Sequence, residues 1–415
     1  MTDLGYLMRR EYRPRALAPA RRLAVLAKLD WVLLVSVLLL ISVGSLLVWS
    51  ATRVRLERAG EPTGQFLQRH LITVVLGLVL CALMARLDYR RLRGGAPAIY
   101  AISLVGLVLV LSPLGATVNG SDSWIRLAGQ SVQPSELAKL ALVIMLAVVL
   151  AGSRFGIRKA HPGRGDVLKA LALAALPVGL VILQPDLGTV MVIGVIVVAM
   201  ILISGASMGW VVALGTVAAL GAAAVAHLHL LSQYQLNRFA AFTNPALDPR
   251  GAGYNANQAR IAIGSGGLFG TGLFEGSQTS GQFVPEQHTD FIFTVAGEEL
   301  GFVGAGAIIV LLGVLLWRAC RISLRARDSL AALLAGGIAV WIGFQVFENI
   351  GMTLGIMPIA GLPLPFVSYG GSAMFANLAA VGILESIHLR RREVSAATAL
   401  ADHGAAGGRQ PGQVP

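Results

Sequence analysis

The sequence predicts an all-α polytopic membrane protein with about ten transmembrane helices, both termini cytoplasmic and one long extracytoplasmic loop. Three observations predict it. Of 415 residues, 55% are hydrophobic and 13% charged, roughly half the charge of a soluble domain, and the mean hydropathy is +0.72. Apolar runs of spanning length, roughly 17 to 25 residues, recur along the chain. Basic residues gather in alternate connections between those runs, the pattern that orients a membrane protein.

The first run, 31–50, follows a basic tail (1–30) that is too long and too basic to lead a cleavable signal peptide, so it reads as an uncleaved first helix. Further runs occupy about 71–85, 98–111, 137–151, 170–183, 187–204 and 209–231, and then 291–317, 330–350 and 366–387. Together they make a membrane domain over 31–388, with a long connection at 232–290. The tail 389–415, rich in Ala, Gly and Gln, reads as disordered and cytoplasmic. Two cysteines, Cys81 and Cys320, both next to or within apolar runs, supply neither a disulfide framework nor a metal set and read as packing residues.

Charge sets the orientation. The tail before Trp31, the connections 86–97, 153–169 and 318–328, and the stretch after Ile387 hold 24 of the 33 Lys and Arg residues. By the positive-inside rule these lie on the cytoplasmic side. The formal charge of +12 therefore needs no nucleic-acid partner. The polar stretches of unusual chemistry then all face outward: 119–136, 184–189, 232–290 and 351–365. No ATP is available on that side, which weighs against a nucleotide-driven machine.

The first outer stretch runs from NGSDSWIRLAG to QPSELAK. Trp124 suits the headgroup level as an anchor, and substrate contact is the other reading. Arg126 has no local carboxylate partner and suits a lipid phosphate or diphosphate, with snorkelling as the equal alternative. Pro134 fits the first turn of a helix. Glu136 and Lys139 lie three apart on one helix face, where an ion pair is the bland reading and a cavity position the functional one. In QPDLGT, Asp186 reads as the cap of the following helix, though it shares its end of the bundle with Glu136 and Lys139. Ionisable groups at such depth face a bundle interior or a wet cavity.

The connection 232–290 spans 59 residues, too long for a passive link. It carries Tyr234, Gln235, Arg238, Asn244-Pro245, Tyr254, Asn255, Gln258 and Arg260. Its glycine-rich run IGSGGLFGTG is not a dinucleotide fingerprint, because Phe269 stands where glycine is needed and no strand-helix-strand unit surrounds it. Those glycines suit close backbone approach or loop movement. The connection ends in VPEQHTDFIF, with Glu286, His288 and Asp290 crowded before a buried run. Asp290 could cap that helix or act as a general base; His288 could be a metal ligand or an acid, although a lone interfacial His is more often neither. Glu298 and Glu299, roughly 12 to 14 Å further along the axis, should be paired. Pro358, Pro363 and Pro365 break the pattern before Ser368, and irregular backbone at membrane depth survives only against protein or a wet cavity.

QPSELAK, QPDLGT, VPEQHTDFIF with GEELG, and GLPLPFVSYGGS, in this order, identify the chain as resembling the RodA/FtsW family, the SEDS proteins. The resemblance covers about 31–387, and GMTLGIMPIAGLPLPF is more like the RodA branch. The only departure is Ala373 after SYGGS, where a second Ser is common. The resemblance implies a peptidoglycan glycosyltransferase of the bacterial plasma membrane that polymerises lipid II, a disaccharide-pentapeptide on undecaprenyl diphosphate, into β-1,4-linked strands for elongation and cell shape. It implies Asp290 as the catalytic aspartate, Glu136, Lys139 and Asp186 in an outer cavity, and a class B penicillin-binding transpeptidase among the elongation or division partners.

Inversion from an α-linked sugar diphosphate to a β-glycoside asks for single displacement. One base suffices, and Asp290 would take the proton of the acceptor hydroxyl. Lys139 or Arg126 would offset diphosphate charge. Gln258, Arg260, Glu286 and Ser368 are further candidate substrate contacts. No cofactor is expected to be tightly bound, but a divalent cation such as Mg²⁺ or Mn²⁺ could join the diphosphate. Broken helices and buried carboxylates also suit a lipid II flippase or another carrier, but no internal repeat supports one. A pure scaffold leaves the buried acids unexplained.

Overall fold

The computed structural model describes residues 28–113, 115–118, 121–127, 130–152, 161–227, 242, 244, 248 and 251–407. Each predicted apolar run contains helix, that at 209–231 over its described residues. In chain order these are α1 (Trp31–Arg58), α2 (Gln65–Arg86), α3 (Leu92–Val110), α4 (Pro134–Leu150), α5 (Arg164–Ile182), α6 (Leu187–Ile203) and α7 (Met208–His227). Then come α8 (Ala252–Ser265), α9 (Ser277–Gly281), α10 (Ile292–Glu299), α11 (Gly301–Leu324), α12 (Ser329–Leu354) and α13 (Gly371–Gly407). Among the described residues, seven helices are long and apolar enough to cross a membrane, while α6 and α7 are apolar but offer shorter spans. Short polar side chains start several of them: Asp30 accepts from Leu33 N at the head of α1, and Asp328 from Ala331 N at the head of α12.

Two connections depart from the sequence reading. The stretch before α4 is not a plain loop but a three-stranded antiparallel sheet, β1 (Gly115–Val118), β2 (Ser121–Leu127) and β3 (Gln130–Val132). Alternating and β-branched residues in SDSWIRL and QSV suit strands, a signal hidden by the dominant helical pattern. The run 291–317 is two helices, split at Gly301, whose φ is +66°. There the first N–H groups of α11 turn away from α10: Phe302 and Val303 donate to the carbonyls of Gly267 and Leu268 at 2.9 and 3.0 Å. The glycine-rich run thus docks backbone-to-backbone along 298–303, with Thr271 and Gly272 donating to Glu298 and Glu299 carbonyls. A Cβ at Gly266 or Gly270 would strike that backbone, so close approach is the reason for the glycines.

The last helix begins at Gly371 and not at 366, because Phe366 holds a left-handed backbone (φ +66°) after Pro363 and Pro365. It runs to Gly407, through much of the Ala-rich tail, in keeping with the helix preference of Ala. Cys81 is buried as expected, whereas Cys320 is exposed on α11.

The bundle is built around α12 and α13, whose apolar windows are 72% and 89% buried, against 28% for α2, α3, α5 and α11. Those outer helices keep apolar faces exposed, as with Ile102 and Val105 of α3, and such a surface suits lipid tails. Helix α13 packs on α2, while α12 packs on α4, α6 and α11. At the basic end Asp30 accepts from Arg318 Nε at 2.8 Å, and Asp30 N donates to Glu385 Oε2 at 3.2 Å. This network ties the ends of α1, α11 and α13 together, and buried charges are tolerated there because they are paired.

Candidate functional site

At the opposite end of the bundle the polar side chains converge on α12. Its last turns read QVFEN, placing Gln345, Glu348 and Asn349 on one helical face. All three are fully buried. Lys139 Nζ donates to Glu136 Oε1 and Gln345 Oε1, both at 2.8 Å, and lies 5.7 Å from the Trp341 ring. Trp341 Nε1 also donates to Gln345 Oε1, and Gln345 Nε2 donates to the Pro363 carbonyl. Asn349 Nδ2 donates to the carbonyls of Asp290 and Leu362, each at 2.7 Å. One turn of α12 therefore joins the Glu136–Lys139 pair, the proline-broken segment and the backbone of Asp290.

Asp186 caps α6: it accepts from Thr189 N at 3.0 Å and Thr189 Oγ1 at 2.8 Å, and from Gln133 Nε2 at 3.3 Å. Gln133 N in turn donates to Ser372 Oγ at the head of α13. Glu348 completes the group. It feels the charges of both Lys139 and Asp186, and among the described residues neither of its carboxylate oxygens has a hydrogen-bond partner. Glu348 thus lies within electrostatic reach of both the Lys139 ammonium and the Asp186 carboxylate.

The segment 284–291 forms a tight turn in front of α10. The N-cap of α10 is Phe291, so Asp290 stands one residue outside the cap position and is half-buried. Glu286, at φ +52°, accepts from Thr289 and Phe291 N–H groups through its carbonyl. The His288 ring packs edge-on against Phe66 (5.1 Å between centroids) and tilted against Tyr369 (5.7 Å), and its carbonyl accepts from Tyr369 N. Burial pushes the His288 imidazole below its usual range, Glu286 pulls it back up, and Arg55 lowers it further. That packing is an ordinary structural role for His288. Glu298 is paired as expected: it accepts from Gln278 N, Thr279 N and Thr279 Oγ1 at 2.7 to 2.9 Å, which fastens α9 to α10. Glu299 accepts from Ser50 Oγ on α1.

The remaining predicted contacts divide. Ser368 accepts from Leu364 N at 2.8 Å and so closes its own turn. Gln258 is half-buried on α8, and Arg260, exposed on the same helix, lies against Gly355 at the end of α12. Arg126 sits on β2 opposite Ser131, its side chain outside the described residues, as are Tyr234, Gln235, Arg238 and Pro245. Lys139 is fully buried and engaged by Glu136 and Gln345. The residues that sequence reasoning missed are Gln133, Gln345, Glu348 and Asn349. The last three were visible as polar groups at helical spacing inside an apolar run, which marks a functional or structural site in a membrane helix.

The fold and this polar end define a class: a multi-pass membrane protein with a carboxylate-rich site among the ends of its helices. The profile of the FtsW/RodA/SpoVE cell cycle protein family matches residues 30–393. The chain belongs to that family. It is 39% identical over 363 residues to a probable peptidoglycan glycosyltransferase FtsW of Trichlorobacter lovleyi, covering 87% of this chain and 93% of the relative. It is 38% identical over 370 residues to the peptidoglycan glycosyltransferase MrdB of Escherichia coli K12, covering 88% and 95%. Among solved structures it resembles one described as coordinating polymerization and crosslinking in a peptidoglycan synthase complex, at 34% identity and a TM-score of 0.72, covering 88% of this chain and 98% of that one. It also resembles the rod shape determining protein RodA of Thermus thermophilus, at 31% identity and 0.62, covering 88% and 97%.

Proposed function

We propose that this chain is a peptidoglycan glycosyltransferase that polymerises lipid II into β-1,4-linked glycan at the outer face of the plasma membrane, with Asp290 as general base. The observation that carries the reading is the anchoring of Asp290. Its carbonyl is held by Asn349 on the buried polar face of α12, one turn from the Glu136–Lys139–Gln345 network, in a chain 38–39% identical to proteins named for this activity.

Single displacement at carbon 1 needs a carboxylate within hydrogen-bond reach of the acceptor's 4-hydroxyl. Asp290 would take that proton as the new glycosidic bond forms and the polyprenyl diphosphate leaves. A rigid backbone anchor favours such a role, because small displacements of a reacting group are costly in rate. Among the described residues no group of three or more His, Cys, Asp or Glu could hold a metal ion. A divalent ion such as Mg²⁺ or Mn²⁺ would thus be held mainly by the substrate's own phosphates and would supply charge neutralisation of the leaving group.

The relative described as a synthase complex supports a penicillin-binding transpeptidase as partner. The RodA-like GMTLGIMPIAGLPLPF segment supports elongation over division, although identity to the two branches, 39% and 38%, does not separate them. Incubation of the purified protein with labelled lipid II tests the reading. Wild-type protein should make polymer and Asp290→Asn should make none above background; polymerisation by Asp290→Asn at the wild-type rate would remove the base assignment. A liposome assay reporting translocation without polymer would replace the enzyme with a carrier.

A further inference from the structure

Glu348 is 0% exposed on α12, and among the described residues neither of its carboxylate oxygens accepts a hydrogen bond. A buried acid without a partner is costly, and inside a membrane bundle such a group marks a functional position. The residues around it on the helix have set contacts. Gln345, one turn earlier, accepts from Lys139 Nζ, and Asn349, the next residue, holds the carbonyl of Asp290.

Lys139 supplies what Glu348 lacks. An ammonium carries three N–H donors, and two of them go to Glu136 Oε1 and Gln345 Oε1, at 2.8 Å each. Glu348 feels the Lys139 charge without bonding to it. Asp186, the other charge within its reach, is already committed to Thr189 and Gln133. Helix α4 runs inward from the Asp290 end and α12 runs back toward it. Glu136 therefore stands one turn, roughly 4.5 Å, to the outer side of Lys139, and Glu348 stands one turn to the outer side of Gln345. Gln345 itself is fixed by Trp341 Nε1 and by the Pro363 carbonyl. Lys139 can keep its bond to Gln345 while the rest of its ammonium faces either acid. Both arrangements leave one acid paired and one unpaired, and that equal count lets two packings of one buried pair lie close in energy.

We propose that Glu348 is a positioning residue for glycosyl transfer, acting as the alternate acceptor of Lys139. When the ammonium passes from Glu136 to Glu348, an ion pair internal to α4 becomes one that joins α4 to α12. The seam closes one residue from Asn349, which carries the change to the backbone of Asp290. Glu348 touches no reacting atom and acts only through Lys139 and Asn349. Its part in transfer rests on the reading of Asp290 as general base, whereas the exchange of Lys139 between two acids does not.

A double-mutant cycle on the full-length protein tests the exchange. Glu136→Gln and Glu348→Gln each leave Lys139 one acid, so each alone should melt close to wild type. The double variant strands the ammonium and should lose more than the sum of the two, by on the order of 5 to 10 °C. Additive shifts would overturn the exchange, and so would a Glu136→Gln protein that fails to fold by itself. Steady-state polymerisation of labelled lipid II tests the positioning role. In Glu348→Gln, kcat should fall about ten- to 100-fold with KM little changed, although melting is nearly that of wild type, and Glu348→Asp should recover part of the loss. Wild-type kcat in Glu348→Gln would overturn that role. Should the wild-type protein make no polymer, the glycosyltransferase reading falls, and the melting cycle alone judges the exchange.

Discussion

Lys139 Nζ lies 2.8 Å from Glu136 Oε1, and both side chains have no solvent exposure at all. A pair this deep is held by its own charges and by Gln345, with Trp341 alongside. Its value to the protein lies less in net stability than in what happens when one member is lost, since removing one partner of a buried pair strands the other.

Lys139→Met is accordingly expected to destabilise the protein by about 3 to 5 kcal/mol, because Glu136 is left as an uncompensated buried carboxylate. Adding Glu136→Leu to Lys139→Met should recover most of that loss. Thermal unfolding of the three proteins in one detergent measures it, and equal melting of the single and double variants would show that the pair is not coupled.

Asn349 makes two 2.7 Å hydrogen bonds, to the carbonyls of Asp290 and Leu362. Asn349→Leu keeps the volume but leaves both carbonyls without this donor, for a stability loss on the order of 1 to 3 kcal/mol. The larger effect is expected on rate: a shift of Asp290 by about 1 Å would cost up to about 100-fold in polymerisation, with little change in KM for lipid II. A variant that turns over normally would show that this anchor does not position the base.

Glu298 collects three hydrogen bonds from Gln278 and Thr279. Glu298→Gln removes the charge that strengthens them and replaces an acceptor oxygen by a donor group facing N–H groups. Faster amide exchange confined to 276–283 is the expected result, read by hydrogen-exchange mass spectrometry. Unchanged exchange there would mean that α9 is held by its other contacts.

His288 has a folded-state pKa below its ordinary value of 6.5, chiefly through burial. The unfolded chain therefore binds the proton more readily than the folded one, and stability rises with pH across the interval between the two values. Its contribution is intact above about pH 6.5 and declines as pH falls below it. Melting temperature against pH from 5 to 8 should show this slope in wild type and a flatter profile in His288→Phe, which keeps the aromatic packing against Phe66 and Tyr369.

Much of the architecture was legible before any coordinates. Run length and hydropathy found the helical segments, because a lipid-facing helix must be apolar over its whole span. Pairing of Glu298 and Glu299 and the capping by Asp186 followed from the expense of buried charge and from local cap chemistry. The sheet at 115–132 was not legible, since strands of four, seven and three residues are outweighed by the helical signal on either side. The break at Gly301 was hidden as well, because hydropathy runs through it unchanged and only docking of the 267–268 carbonyls explains it.

By itself the sequence determined that this is a helical membrane protein, which segments are apolar enough to enter the bilayer, and which short motifs carry the acids. Those are consequences of composition and local spacing. Tertiary structure alone decided that Lys139 meets Gln345 and that α12 carries the buried face joining Lys139 to the backbone of Asp290. Such facts depend on which helices touch, and contacts between residues some two hundred positions apart leave no trace in local periodicity.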